Sequence, residues 1–356
     1  MNPRIKIHLG KLTHNAALMV DMCAASGIKV SAVTKGFCAK PQAAAALLKG
    51  GITSLADSRI ENLRKLQPLE AEKLLLRLPM INQAEQVVWF SDISLNSQWA
   101  TIQALNKAAG KRGVRHGVIL MMDLGDLREG LFSERAFLDL VKNTCRLSHI
   151  DLKGIGTNLT CFGAILPDEK NLGRLKAIAE QSVTIAGKPL EMVSGGNSSS
   201  LYLLQEGKLP EGINHLRIGE GILLGTESAY GTQLPNMNHD CFQLVAELIE
   251  VEEKPSVPTG TIGKDAFGQV PVFEDRGIRK RAIAAVGKQD FATHAITPLN
   301  QGVEILGASS DHLILDISDA SRTYRVGDEV TFSLSYGAML ALNTSSYVST
   351  QYVEGA

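Results

Sequence analysis

Across residues 28–225 one unit recurs: a short apolar run ending on a polar residue or glycine, then a segment with helical spacing. The runs are IKVSAVTK, ITSLAD, KLLLRLP, DISLNS, GVILMMDLG, LKGIGTNLT, LEMVSGGNS and INHLRIGEG. Between them lie segments such as PQAAAALLKGG, SRIENLRKL and ERAFLDLVKNTCRLSH. Pro41 near the start of the first segment and Gly50-Gly51 at its end are the usual punctuation of a helix. Strands that are near-continuously apolar and alternate with helices mean a parallel sheet covered by helices. Eight such units favour closure into a (β/α)8 TIM barrel over an open doubly wound sheet.

Past residue 230 the texture changes. FQLVAELIEVEEKP, RAIAAVG, GVEILGASSDHLILDIS and YRVGDEVTFSL alternate at the strand period between Gly, Pro and Asp turns, and no long helical pattern intervenes. The expectation is a barrel over residues 1–230 and a C-terminal, mostly antiparallel β domain over residues 231–356, with a first strand within 1–9 able to pack with the β domain.

A net charge of −1 gives no electrostatic case for nucleic acid or an anionic membrane as partner, and no apolar run is long enough to span a bilayer. The five cysteines (Cys23, Cys38, Cys145, Cys161 and Cys241) are scattered, an odd set that fits a reducing cytosol better than a disulfide framework. A cytoplasmic soluble protein is expected. The histidines show no HxH or HExxH spacing, so no metal site is expected, and no GxSxG elbow marks a serine nucleophile.

In a barrel of this kind the C-terminal strand ends line the active site. Those ends carry Lys35, Asp57, Asp123 with Arg128 in MMDLGDLREG, Asn158, the run SGGNSSS, and Arg217. Each has an ordinary structural use. A strand-end lysine is more often solvated or ion-paired than catalytic, a Gly/Ser run serves as a turn, and a lone arginine forms an ion pair. Yet SGGNSSS follows a strand and precedes a helix, which is phosphate-site geometry, and RIGEG one strand later can add amides to the same place. A strand-end lysine, a phosphate cradle and an inward arginine together point to pyridoxal 5′-phosphate on a Schiff-base lysine.

These residues resemble the alanine-racemase-like fold of pyridoxal-phosphate enzymes over essentially the whole chain, and within it the amino-acid and ornithine racemase branch. VSAVTKGF is similar to the family's cofactor-lysine strand, which implies Lys35 as the Schiff-base residue. MMDLGDLREGLF is similar to its D-x-G-x-x-R-x-G segment, implying Arg128 at the substrate carboxylate. GIGTNLTCFG resembles the strand whose end packs on the cofactor ring, here through Asn158 where many relatives have histidine. SGGNSSSL resembles the phosphate loop, implicating Asn197, Ser198 and Ser199. LRIGEGILLG resembles the R-x-G segment, with Arg217 facing the pyridine nitrogen and Gly219 and Glu220 offering amides to phosphate. In the second domain the resemblance implies Asp311 in the partner subunit's site and Tyr352 on the phosphate, hence a homodimer.

The resemblance implies racemisation of a free amino acid, with Lys35 as base on one face of Cα. DAFG and FEDRGIRKRA favour ornithine or another basic amino acid, with alanine also possible. The tyrosine that serves the other face in alanine racemases aligns with Phe267, and Asp265 or Lys264 is close enough in sequence to substitute. Ala39 stands where relatives place a tyrosine four residues past the lysine. For a substrate ω-amine the candidates are Asp311, Asp265 and Glu220. Two other readings stay open: another reaction on the same scaffold (decarboxylase, D-amino-acid aldolase or dehydratase), or a non-enzymatic carrier of the cofactor.

Overall fold

The computed structural model describes residues 2–355, which divide into two compact units. Residues 9–239 form one; the start of the chain through His8 joins Asp240–Glu354 in the other. Strand β1 (Arg4–His8) therefore belongs to the second unit.

The first unit is a closed parallel barrel of β2 (Lys29–Val33), β3 (Ser54–Asp57), β4 (Glu72–Leu75), β5 (Ile93–Asn96), β6 (His116–Met121), β7 (Ile150–Gly156), β8 (Met192–Ser194) and β9 (His215–Ile218). The register Lys29↔His215 to Ala32↔Ile218 seals β9 onto β2. Each of the eight apolar runs read from the sequence overlaps one of these strands. Inward side chains such as Val33, Ala56, Leu74, Ile93, Ile119 and Met121 pack into one cluster, so the interior is filled and chemistry is left to the strand ends.

Around it run helices including Leu9–Ala24, Pro41–Lys49, Trp99–Arg112, Glu134–Thr144 and Glu169–Ala186. Gly50 caps the second of these with φ −80°, outside the left-handed region. A Cβ there would lie 2.5 Å from the Thr13 carbonyl oxygen and 2.6 Å from the Ala16 Cβ, so glycine is needed for close approach to the preceding helix.

The second unit holds β10 (Phe242–Pro255), β11 (Ile278–Ala284), β12 (Ile296–Pro298), β13 (Glu304–Ala308), β14 (Leu313–Asp316), β15 (Glu329–Leu334) and β16 (Ser349–Val353). The sheet runs β12-β15-β10-β11-β14-β13, antiparallel throughout, with β1 antiparallel on β10. β16 pairs with β1 in parallel, within the mostly antiparallel domain expected. One feature departs from the sequence reading: a nine-residue helix, Tyr336–Thr344, follows β15. That helix, YGAMLALNT, is apolar around most of its surface and so lacks a helical period; Ser335 caps it by accepting from the Ala338 amide at 3.3 Å.

No helix among the described residues is long and apolar enough to cross a membrane, and the five cysteines are free.

Candidate active site

Lys35 lies one residue past the end of β2, after Thr34, and opens a single 3-10 turn, Lys35–Phe37, closed by Cys38 and Ala39, both at φ 51°. The strand is held at this point by Thr34, whose amide donates to the Ala56 carbonyl at 2.8 Å. Its hydroxyl donates to Asp57 Oδ2 at 2.7 Å. The half-buried Lys35 side chain has no hydrogen-bond or ion-pair partner among the described residues. Asp57, fully buried, also accepts from the Arg59 amide (2.9 Å) and Asn62 Nδ2 (3.1 Å). Burial raises its pKa, while those bonds and the Lys35 charge oppose the shift. Asp57 thus braces the turn that presents the lysine.

The loop after β6 folds back on its own strand end. Leu131 donates to the Met121 carbonyl, and Asp123 donates to that of Leu131, each at 3.0 Å. Gly130 makes this possible at φ +125°, since a Cβ would sit 2.5 Å from the Asp123 nitrogen. Asp123 Oδ1 accepts from the amides of Gly125 (2.8 Å) and Leu127 (3.2 Å). Asp126, buried, accepts from Phe162 (3.1 Å), Gly163 (3.0 Å) and Ile165 (3.4 Å), tying this loop to the one after β7. At its apex the Arg128 guanidinium grips its neighbour Glu129, Nε to Oε2 at 2.5 Å and Nη2 to Oε1 at 2.8 Å.

At the ends of β7, β8 and β9 the donors outnumber the acceptors. Asn197 is used by the fold: Nδ2 donates to Asn158 Oδ1 (3.1 Å) and the Leu159 carbonyl (3.0 Å), and Oδ1 accepts from the Ser199 amide (2.8 Å). Ser198 Oγ accepts from the Gly221 amide at 3.1 Å, joining the two glycine-bearing segments. Gly219 passes so close to β2 that a Cβ would lie 3.2 Å from that of Val33. Left over are Asn158 Nδ2, Thr157 Oγ1 and Ser199 Oγ, buried and without a partner. Buried polar atoms are nearly always satisfied, so three orphans at adjoining strand ends ask for an acceptor the chain does not supply.

Arg217 lies beneath them, 3% exposed. It donates through Nη2 to the Thr157 carbonyl at 2.7 Å and through Nη1 to Ser194 Oγ. From Ser194 a chain of hydrogen bonds runs along the barrel interior: to His215 Nδ1 (2.8 Å), between His215 Nε2 and Ser31 Oγ (2.8 Å), and on to Ser54 Oγ (2.7 Å). Arginine only donates, so Ser194 Oγ accepts from it and its hydroxyl proton is placed to go to His215 Nδ1, the arrangement that puts the ring proton on Nε2. Burial, then the Arg217 and Lys29 charges, push His215 down to about 3, so the ring is neutral. Burial lowers Arg217 to about 10 against the pull of Glu129 and Cys161, leaving it protonated at neutral pH. Burial raises Glu220, with the Glu227 charge adding to the effect.

Lys35, Asn158, Asn197, Ser198, Ser199, Arg217, Gly219, Glu220 and Arg128 thus all lie in the barrel unit, at or just past its strand ends. Asp265, Asp311 and Tyr352 belong to the other unit. Asp265 closes a turn, its Oδ1 accepting from the amides of Phe267 (2.9 Å) and Gln269 (2.8 Å). Those bonds, the Gln269 amide foremost, hold it below the usual carboxylate range. Phe267 lies under the Lys288 ammonium, 3.8 Å from its ring centre. Asp311 sits exposed at the tip of the β13–β14 hairpin, closed by the Ser309 amide on the His312 carbonyl at 2.9 Å. Tyr352 stands opposite Ile7 between β16 and β1, and burial raises its phenol.

Sequence reasoning missed Thr157, His215 and Ser31, and took in Ser194 only as the first residue of SGGNSSS. The signal for His215 was present: it precedes Arg217 by one strand period and so shares its face.

The alanine racemase N-terminal domain family matches residues 7–227. The ornithine racemase of Acetoanaerobium sticklandii is 49% identical over 348 residues, covering 98% of this chain and 99% of that protein. The lysine racemase of Thermotoga maritima is 40% identical over 354 residues, 98% of each. Among solved structures, alanine racemase from Streptomyces lavendulae superposes with a TM-score of 0.77 at 15% identity, covering 100% of this chain and 98% of that one. The Bartonella henselae alanine racemase with covalently bound pyridoxal phosphate gives 0.74 at 18%, covering 99% and 100%. The chain belongs to the alanine racemase family.

Proposed function

We propose that the protein is a pyridoxal 5′-phosphate-dependent racemase of a free amino acid, with ornithine or another basic amino acid preferred. The relation to an ornithine and a lysine racemase supports the reaction and the substrate class. The observation that carries the cofactor is the set of buried, unpartnered donors on Asn158, Thr157 and Ser199, beside an unpaired Lys35 and a rigidly held Arg217. That donor set fits a phosphorylated pyridine aldehyde.

When bound, the cofactor supplies a carbonyl for the substrate amine and a conjugated ring that spreads the electron pair left by Cα–H loss. Lys35 would hold it covalently and would be the base that takes or returns the Cα proton on one face. Ser198, Ser199 and the Gly219 and Glu220 amides would hold the phosphate and Asn158 would meet the ring; Tyr352 is assigned to the phosphate by the family resemblance alone. Arg217 would donate to the ring nitrogen, since at about 10 it does not give up its proton near neutral pH. Arg128 takes the substrate carboxylate. Asp311 from a second copy serves the other face, which makes the working form a homodimer. Asp265 is the second carboxylate for that role, although its turn already uses one oxygen. The free cysteines are in keeping with a reducing, cytoplasmic setting.

The test is the visible absorption spectrum of purified protein before and after borohydride, with Lys35→Ala alongside. A yellow band lost on reduction, leaving a pyridoxyl group on the Lys35 peptide, and chiral turnover of L-ornithine, lysine or alanine are expected. A colourless protein that takes up no added cofactor would overturn the proposal.

A further inference from the structure

Most carboxylates at the C-terminal mouth of the barrel already have backbone or hydroxyl partners. Asp57 accepts from Thr34, Arg59 and Asn62, Asp123 from two amides and Asp126 from three. Glu227 accepts from the amides of Ala229 (2.8 Å), Tyr230 (3.0 Å) and Thr232 (2.8 Å). Glu129 differs. Both its oxygens lie on the guanidinium of Arg128, and its side chain is only 15% exposed while that of Arg128 is 41% exposed. The pair stands close enough to Arg217 for both charges to act on it. Gly130 fixes the backbone directly after it.

Resting on the substrate reading above, we infer that Glu129 selects a basic side chain by exchange of ion pairs. The substrate α-carboxylate replaces Glu129 on Arg128, and the released Glu129 carboxylate takes the substrate ω-ammonium. A dibasic zwitterion thus re-pairs both protein charges. A substrate with an apolar side chain re-pairs only the arginine and strands a largely buried carboxylate, which is penalised. The local pair is therefore a stand-in for the charges of the ligand, and discrimination comes from what alanine or norvaline leaves unpaired.

Norvaline matches ornithine without the ω-amine, and pentanoate matches 5-aminopentanoate in the same way. Turnover of the first pair reports selection in catalysis; calorimetric binding of the second pair to the holoenzyme reports it without turnover. In the wild type each amine-bearing member is preferred by at least about tenfold, as expected for a charge-assisted contact. In Glu129→Gln both ratios fall towards one; Glu129→Asp, which keeps the charge, retains part of the preference. If Glu129→Gln weakens ornithine and norvaline alike, Glu129 merely orients Arg128 and the inference is overturned. A wild-type protein that racemises no dibasic amino acid fails earlier, and that failure belongs to the substrate reading.

Discussion

Replacing His215 by glutamine should flatten the acid side of the stability profile. The unfolded chain takes a proton on this histidine below about 6.5, whereas the folded barrel refuses it down to about 3. Between those values the unfolded state binds more protons, so stability falls as the pH falls; above 6.5 the ring is neutral in both states and contributes no slope. Each pH unit well inside the window costs about 1.4 kcal/mol, and by pH 5 the accumulated loss is ~2 kcal/mol. Glutamine does not titrate and can still both donate and accept between Ser194 and Ser31. Buried Asp57 and Glu220 carry shifts of opposite consequence, but both proteins share them and they cancel in the difference. Both tryptophans, Trp89 and Trp99, lie in the barrel unit, so urea unfolding followed by their fluorescence reports on that unit. Between pH 7.5 and 5 the wild type should lose ~2 kcal/mol more than the variant. Parallel curves would refute a neutral, buried His215.

Gly130→Ala places a Cβ against the Asp123 backbone at φ +125°, so the loop bearing Arg128 and Glu129 must shift. KM should rise by about tenfold or more with a stability loss of about 1–3 kcal/mol, checked by steady-state kinetics and urea unfolding. Asp126→Ala removes the acceptor shared by the Phe162, Gly163 and Ile165 amides. Limited proteolysis should then cut within residues 160–166 faster than in the wild type, and an unchanged digestion pattern would refute the tie between the loops.

The barrel was legible because burying a strand on both faces leaves a continuous apolar run, and eight of these recur between helical segments. The helix Tyr336–Thr344 was not, since nearly uniform apolarity erases the period that marks a helix. Lys35, Arg217 and the Gly/Ser loop were legible as residues at the strand ends. What escaped was anything that exists only after closure. Ser31, Ser54, Ser194 and His215 come from four strands and meet only because β9 seals against β2. Glu129 escaped for a different reason: beside an arginine in sequence, it reads as a solvated charge until its low exposure is seen.

The row of hydrogen bonds from Arg217 through Ser194 and His215 to Ser31 and Ser54 makes the imidazole of His215 a gauge built into the barrel. Its nitrogens are held unlike, one bare and one protonated, and the ring does not titrate across the working range. Any change in how hard the guanidinium pulls on Ser194 must therefore appear as a shift of those two nitrogen resonances. The protein carries, out of reach of any ligand, a spectroscopic readout of the charge that its most buried cation faces.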